Sequence, residues 1–369
     1  MRIAGFELDR VEVTPWADWY FVHVLTDEGL RGLGELTPGA SAAGTLAALW
    51  QLEEALRGQD PGTIEQIVHR HGTPDRSRDQ IAALSGVEQA LWDLCGKRLD
   101  TPVHVLLGGA CRDEIPLYAN INRISRIAEV RTPDWFADNA KAAVAAGFSA
   151  VKLAPFDGMP MDLDRAAAGQ LGIDCMRTVR EAIGPDIDLM VDVHSHFTER
   201  GALELADELR DLDLYWFEQP TPESDLDACL RVKEGCGMTV AGGEQRMLRH
   251  GFVEVLERPV MDVIMPDVTV IGGIGELKKT AAMAAAHGIV TSPHGPFGPV
   301  MIAAGAQAMM AHPEFSILEF GWGETAWRQD LVVPSEDVSG GKLRVSRTAP
   351  GLGVELNRDV VEEHRAGER

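Results

Sequence analysis

Leu189-Met190-Val191-Asp192-Val193-His194-Ser195-His196-Phe197 decides how this chain is read: an apolar run ends in a carboxylate, and two histidines two residues apart follow. Carboxylates and imidazoles at the end of a buried strand are where metals are bound and protons moved. Similar endings recur downstream. Tyr215-Trp216-Phe217-Glu218, Val240-Ala241-Gly242-Gly243-Glu244, Val263-Ile264-Met265-Pro266-Asp267, Thr291-Ser292-Pro293-His294 and Ile317-Leu318-Glu319 each close an apolar run with a titratable residue. From Asp192 onward the successive gaps are 26, 26, 23, 27 and 25 residues, one strand-plus-helix unit each time. One such charge alone is an ordinary strand end; a series in register is much harder to dismiss.

Working outward, the chain from residue 115 alternates short apolar runs with Ala-rich stretches of helical spacing. The runs are 117–121, 150–153, 187–191, 214–217, 239–241, 263–265, 289–291 and 316–318. Eight strand–helix alternations in about 205 residues predict an α/β fold, a (β/α)8-type TIM barrel. An open doubly wound sheet is the alternative, but no GxGxxG follows the first strand and six strands usually suffice there. In a barrel, residues just after each strand face the C-terminal mouth, which gathers Lys152, Asp192, Glu218, Glu244, Asp267, His294 and Glu319. Residues 1–113 read as an α+β unit, with strands over 3–13 and 20–25, a turn at Asp27-Glu28-Gly29, and helices over 42–56, 64–71 and 79–96. Between the first strands, residues 15–20 (Pro-Trp-Ala-Asp-Trp-Tyr) read as a short loop, with Trp16, Asp18 and Trp19 as candidates to cap the site and select substrate. Residues 114–322 would hold the barrel, and 323–369 would return to pack on the first unit.

At 369 residues the chain exceeds one ordinary core, in line with one large domain and a smaller one. Its net charge is −23, from 34 basic and 57 acidic residues, which argues against a nucleic-acid partner. An anionic substrate would then need a bound cation to reverse the local field. The five cysteines (Cys95, Cys111, Cys175, Cys229, Cys236) are scattered without CxxC spacing and read as free thiols of a reducing compartment. Charge interrupts the N-terminus too early for a secretory signal, and no apolar run approaches the ~20 residues of a membrane span. A cytoplasmic protein with no membrane partner is expected.

Asp192, Glu218 and Glu244 would end three adjacent strands, where three carboxylates repel one another unless a cation lies between them. All-oxygen ligation suits Mg2+, with open positions left for water and substrate. Asp267 and His294 end consecutive strands, so the carboxylate can orient the imidazole and make it a usable base. Lys152 and Glu319 would flank the metal from the other side.

At this point the chain resembles the enolase superfamily, its mandelate racemase subgroup, and within that the galactonate dehydratase branch. The resemblance spans essentially the whole chain and includes residues 90–97 (Ala-Leu-Trp-Asp-Leu-Cys-Gly-Lys), Pro102, Leu106-Leu107-Gly108-Gly109 and 350–356 (Pro-Gly-Leu-Gly-Val-Glu-Leu). It makes residues 1–113 a capping domain completed by the C-terminal tail. It also implies Asp192, Glu218 and Glu244 as Mg2+ ligands, Asp267 and His294 as a base dyad, and Glu319 as the strand-eight carboxylate. The superfamily's chemistry, a Lys or His base with Mg2+ stabilising an ene-diolate, is carried over with the resemblance and not read from spacing. Asp-x-His at 192 and 194, with Pro-His-Gly-Pro-Phe-Gly-Pro at 293–299, is similar to the acid-sugar dehydratases, in which this histidine is the general acid.

The implied substrate is a small-molecule carboxylate, an aldonate converted to a 2-keto-3-deoxy acid with Lys152 helping to stabilise the ene-diolate; a homo-oligomer is expected. One departure matters. Racemases of the subgroup carry Lys-x-Lys at the end of the second barrel strand, and here the second position is Ala154. One-base elimination does not need the missing lysine, whereas two-base racemisation does. The alternatives are racemisation, epimerisation or cycloisomerisation within the superfamily, an amidohydrolase-like metal hydrolase suggested by the histidine pair, and a non-enzymatic homologue.

Overall fold

The computed structural model describes residues 1–14, 17–123 and 131–367. It begins with an antiparallel sheet of β1 (Ile3–Thr14), β2 (Ala17–Thr26) and β3 (Arg31–Leu36), paired in that order. Here the expected loop over 15–20 is corrected: β2 starts at Ala17, so Asp18 and Trp19 are strand residues. Trp16 lies outside the described residues. Alternation along β2 explains the aromatics, since Trp19 and Phe21 enter the main core while Tyr20, Val22 and Val24 enter a second, helical one. A strand buried on both faces has use for large side chains at every position.

Helices α1 (Ala42–Leu56), α2 (Ile64–His71) and α3 (Arg78–Arg98) follow, then the single turn α4 (Val103–Leu106). A capping box starts α3: Gln80 N donates to Ser77 Oγ at 3.3 Å and Ser77 N to Gln80 Oε1 at 3.0 Å. This helix is buried along most of its length, against β3 on one side and the barrel on the other. At Gly34 a Cβ would lie 2.0 Å from Gly86 O, so β3 and α3 meet backbone to backbone.

Eight parallel strands make the barrel: β4 (Glu114–Asn120), β5 (Ala150–Leu153), β6 (Asp188–Asp192), β7 (Leu214–Glu218), β8 (Val240–Gly242), β9 (Val263–Ile264), β10 (Val290–Thr291) and β11 (Leu318–Gly321). Between them lie α5 (Pro133–Ala145), α6 (Gln170–Ile183), α7 (Glu199–Leu209), α8 (Leu226–Cys236), the short α9 (Val253–Glu257), α10 (Ile274–Ala286) and α11 (Pro299–Met310). Strands pair in chain order from β4 to β10, and β11 pairs with β4. Ser316 N donates to Thr291 O at 3.1 Å, closing the ring beside β10. The eighth alternation is incomplete, because β11 leads through a 3-10 turn at Arg328–Leu331 into the tail instead of an α-helix.

The tail comprises β12 (Val332–Val333), β13 (Val338–Ser339), β14 (Lys342–Arg344), β15 (Glu355–Leu356) and α12 (Arg358–Glu363). Strand β14 pairs antiparallel with the first half of β4, and Arg358 Nη1 reaches Asp9 Oδ2 on β1 at 2.6 Å. Among the described residues no helix is long and apolar enough to cross a membrane.

Strand parity aims the chemistry. Tyr118, Ala150, Met190, Trp216, Met265 and Ile317 belong to a buried cluster inside the barrel, with Tyr118 and Trp216 edge to face at 5.3 Å. Two residues further along each run, on the same face, come Asn120, Lys152, Asp192, Glu218, Asp267 and Glu319. The apolar plug fills the barrel and leaves the polar residues at its mouth.

The N-terminal unit is fastened over that mouth by buried carboxylates on helix starts. Glu35 accepts from Gly298 N at 2.7 Å and Met301 N at 2.8 Å at the start of α11. On α3, Glu88 accepts from Ile274 N at 2.6 Å, Gly275 N at 2.8 Å and Trp92 Nε1 at 2.7 Å. The orphan amides of α10 are thus satisfied by another domain, because its own N-cap, Gly273, has no side chain. Replacing Glu88 by Ala should therefore lower unfolding stability by about 2–3 kcal/mol, the cost of buried donors left without acceptors. Urea unfolding measures it, and an unchanged midpoint would show that the carboxylate is dispensable.

Candidate active site

Asp192 ends β6, Glu218 ends β7, and Glu244 follows β8 in a turn that Gly243 makes at φ 100°. One oxygen from each residue lies within 4.8 Å of the others, and all three side chains are buried. Beneath them Lys152 Nζ donates to both oxygens of Glu218 at 3.0 Å, lies 3.0 Å from Glu319 Oε1 and 3.6 Å from Asp192 Oδ2. The lysine is wholly buried under the carboxylates and does not line the open pocket.

Burial, then the neighbouring Asp192 carboxylate, push the Glu218 pKa well above the ordinary range despite Lys152. Burial would also raise Asp192, but His194 and Lys152 reverse that and hold it below the usual carboxylate value. Glu244 Oε2 is buried with no hydrogen bond among the described residues, although His294 Nε2 is 3.2 Å away. One lysine does not neutralise this many carboxylates, and the donor set is all oxygen. The residues fit a hard divalent cation.

On one flank of the triad, His294 Nδ1 lies 2.6 Å from Asp267 Oδ2. Its Nε2 edge is turned toward Glu244 Oε2 at 3.2 Å and Glu319 Oε2 at 3.6 Å. Burial disfavours the imidazolium, but Glu244, Glu319 and Asp267 outweigh it and push the pKa up to about 10. Asp267 Oδ1 is fixed by Thr269 N at 2.6 Å and Thr269 Oγ1 at 2.7 Å. Glu319 accepts from Asn120 Nδ2 at 2.7 Å and Gly295 N at 3.0 Å. Burial opposes its charge, yet Lys152 and His294 bring its pKa down to about 2.

His194 stands on the other flank. Its Nε2 is 3.0 Å from Asp192 Oδ2, and Nδ1 is hydrogen-bonded to Asp157, which in turn pairs with Arg131 at 2.7 Å. His194 and Ser195 both take left-handed backbone, φ 46° and 60°, which turns the chain sharply at the strand end. His196 points away: its Nδ1 is 3.1 Å from Pro160 O, and its backbone carbonyl accepts from Leu163 N at 2.9 Å. It tethers the loop after β5 and takes no part in the carboxylate cluster.

Asp192, Glu244, Asp267, His194 and His294 line a pocket of about 180 Å3, whose wall also includes Asn120, Asn122, Arg123, Arg131, Asp157 and Phe297. Thr37, Arg123 and Phe297 are shared with a second chamber of about 420 Å3 under the N-terminal sheet, lined by Asp18 and Trp19. Asp18 is paired with Arg10 Nη2 at 2.6 Å, and Trp19 is packed edge-on against Trp327 at 5.7 Å. Both therefore touch a cavity neighbouring the carboxylates as wall residues, not as parts of a closing loop.

Sequence reasoning missed Asp157, Arg131 and Asn120. Asn120 was within reach, since it lies two residues after Tyr118 on the inward face of the first barrel strand. Asp157 and Arg131 lie outside the strands and helices, where no period places a side chain.

Residues 135–360 match the model of the enolase C-terminal domain-like family, and residues 13–108 that of the mandelate racemase / muconate lactonizing enzyme N-terminal domain. The chain is 34% identical over 370 residues to a D-galactarolactone cycloisomerase of Agrobacterium fabrum, covering 93% of this chain and 90% of that protein. It is 30% identical over 361 residues to a D-galactonate dehydratase of Ralstonia pickettii, covering 94% and 90%. The crystal structure of a mandelate racemase/muconate lactonizing enzyme from Jannaschia sp. CCS1 superposes with a TM-score of 0.90 at 29% identity, covering 100% of this chain and 99% of that one.

Proposed function

This chain belongs to the mandelate racemase / muconate lactonizing enzyme group of the enolase superfamily, and from that premise we propose that it dehydrates an acid sugar, a galactonate-like aldonate, with Mg2+. It is an enzyme of the hydro-lyase type. The observation that carries the reading is the pair of histidines flanking the triad, each with its own carboxylate on Nδ1. One serves as base and the other as acid. Ala154, where racemases of the subgroup have a second lysine, leaves the second barrel strand without an opposing base.

Mg2+ held by Asp192, Glu218 and Glu244 would bind the substrate carboxylate, stabilise the charge that develops there, and offset the field that keeps His294 protonated. His294 Nε2 removes the α-proton, while Asp267 on Nδ1 holds the ring in the productive tautomer. His194 gives a proton to the 3-hydroxyl, whose C–O bond breaks with its electron pair leaving as water. The resulting enol tautomerises to the 2-keto-3-deoxy acid. Lys152 is assigned a different part from the one expected: from below it balances Glu218 and Glu319, and so acts on the substrate only through them. Glu319 faces the His294 ring and restrains it.

The test is a screen of aldonates and aldarates with Mg2+, detecting 2-keto product. Treatment with EDTA should abolish turnover and added Mg2+ should restore it. Restoration by Zn2+ alone would instead favour the hydrolase reading. The relative named as a cycloisomerase favours a second reading on the same residues, ring opening of a sugar lactone. Isomerisation of a sugar lactone without release of water, the open-chain acids remaining unreacted, would point to it.

A further inference from the structure

We propose that Asp157 and Arg131 are positioning residues for His194, a clamp that fixes which edge of its imidazole faces the pocket. The inference rests on the reading of His194 as the acid of the dehydration. Its first support is connectivity. Arg131 Nη1 pairs with Asp157 Oδ2 at 2.7 Å, Asp157 Oδ1 takes His194 Nδ1, and His194 Nε2 comes to rest 3.0 Å from Asp192 Oδ2. The ring is thereby held by one edge, and the other edge is presented to the carboxylate triad.

The second support is that both ends of the clamp are themselves tied down. Arg131 Nη1 also donates to Ala154 O at 3.0 Å, and its guanidinium lies 5.8 Å from the Phe136 ring on α5. Ala154 N is held in turn by Asn122 Oδ1 at 2.6 Å. On the His194 side, the backbone is set by His194 N on Asp192 Oδ1 at 3.0 Å and Ser195 N on Gln219 O at 2.8 Å. A left-handed residue at a strand end has its Cα placed by these bonds, but its ring still turns about two torsions. Asp157 removes that freedom.

A bland alternative is an ion pair that only steadies the loop. Arg131, Asp157 and His194 retain side-chain exposures of 25%, 31% and 36%, and pairs this exposed contribute little to stability. Their effect should therefore appear in the chemistry, where a small displacement of a proton donor costs about 10²-fold in rate. The segment after the second barrel strand, which carries no second lysine at Ala154, here supplies a carboxylate that orients the imidazole of the third.

The experiment separates proton removal from elimination. D-gluconate, D-galactonate and D-xylonate are offered with Mg2+ in D2O, and the acid that the unaltered enzyme dehydrates is used throughout. Asp157→Ala should lower kcat for elimination about 10²-fold, with KM little changed, while α-deuterium still enters unreacted substrate at the original rate. Asp157→Asn, which keeps an acceptor, should be milder, and Arg131→Gln should lie between the two. Thermal midpoints should not move. Exchange and elimination falling together, or neither falling, would overturn the proposal. A second readout uses the metal-free protein labelled with 15N-histidine, the His194 signals being assigned through His194→Asn. Asp157→Ala should shift both ring nitrogens of His194, and unshifted signals would overturn the clamp without any turnover. If none of the three acids is dehydrated yet the signals shift, the clamp stands and the dehydration reading fails.

Discussion

Replacing His294 by Asn should lower kcat/KM by about 10³–10⁴-fold and abolish solvent exchange of the α-proton. The argument is geometric. His294 Nε2 faces a pocket that also contains the triad carboxylates Asp192 and Glu244, and Asp267 at 2.6 Å from Nδ1 leaves Nε2 as the only edge able to take a proton. Asn preserves a polar group of similar reach but accepts no proton, so kcat should fall and KM should change little, the signature of an interaction made in the transition state. Because both steps of the elimination depend on the same proton removal, exchange and product formation should vanish together. An Asn variant that exchanges the α-proton at the original rate would place the base on another residue.

The strand-end residues were legible because two simple periods act together. The repeat of about 25 residues counts strand–helix units, and the two-residue period within each strand decides which side chains turn inward. Asp192, Glu218, Asp267, His294 and Glu319 obey both, and they meet at the mouth of one barrel. Lys152 obeys only the second period, standing 40 residues before Asp192, and its depth could not be read. Whether a lysine reaches out to substrate or lies under its neighbours depends on how closely the ring of strands brings Glu218 and Glu319 around it, a property of closure and not of spacing. Trp19 shows the opposite failure. Aromatics next to a proline look like a loop, but β2 lies between two apolar cores and accepts large residues on both faces. Asp157 left no signal at all, because it sits in an irregular loop whose length follows no period.

Lys152→Met should destabilise the protein by about 3–5 kcal/mol at neutral pH, the cost of removing one partner from a buried ion cluster. Methionine fills the space but leaves Glu218, Glu319 and Asp192 without the ammonium that approaches them at 3.0, 3.0 and 3.6 Å. Two conditions should recover the loss. The first is acid. Burial and Asp192 already raise the Glu218 pKa in the folded state, and losing Lys152 raises it further. A carboxyl whose folded pKa exceeds its unfolded value stabilises fully below the unfolded value, about 4.3, and loses that contribution as pH rises through the folded one. The gap between the variant and the parent should therefore narrow as pH falls from neutrality toward that value. The second is Mg2+, which replaces the missing positive charge and should raise the thermal midpoint of the variant by more than that of the parent. A lysine whose only office was to touch substrate would behave differently: its loss would impair turnover and leave stability, its pH dependence and the response to Mg2+ unchanged. Calorimetry across pH, with and without Mg2+, distinguishes the two. An unshifted midpoint would return Lys152 to the substrate side of the site, whereas a midpoint rescued by both acid and Mg2+ would make it a built-in counter-charge, part of how so acidic a chain gathers its carboxylates around one point.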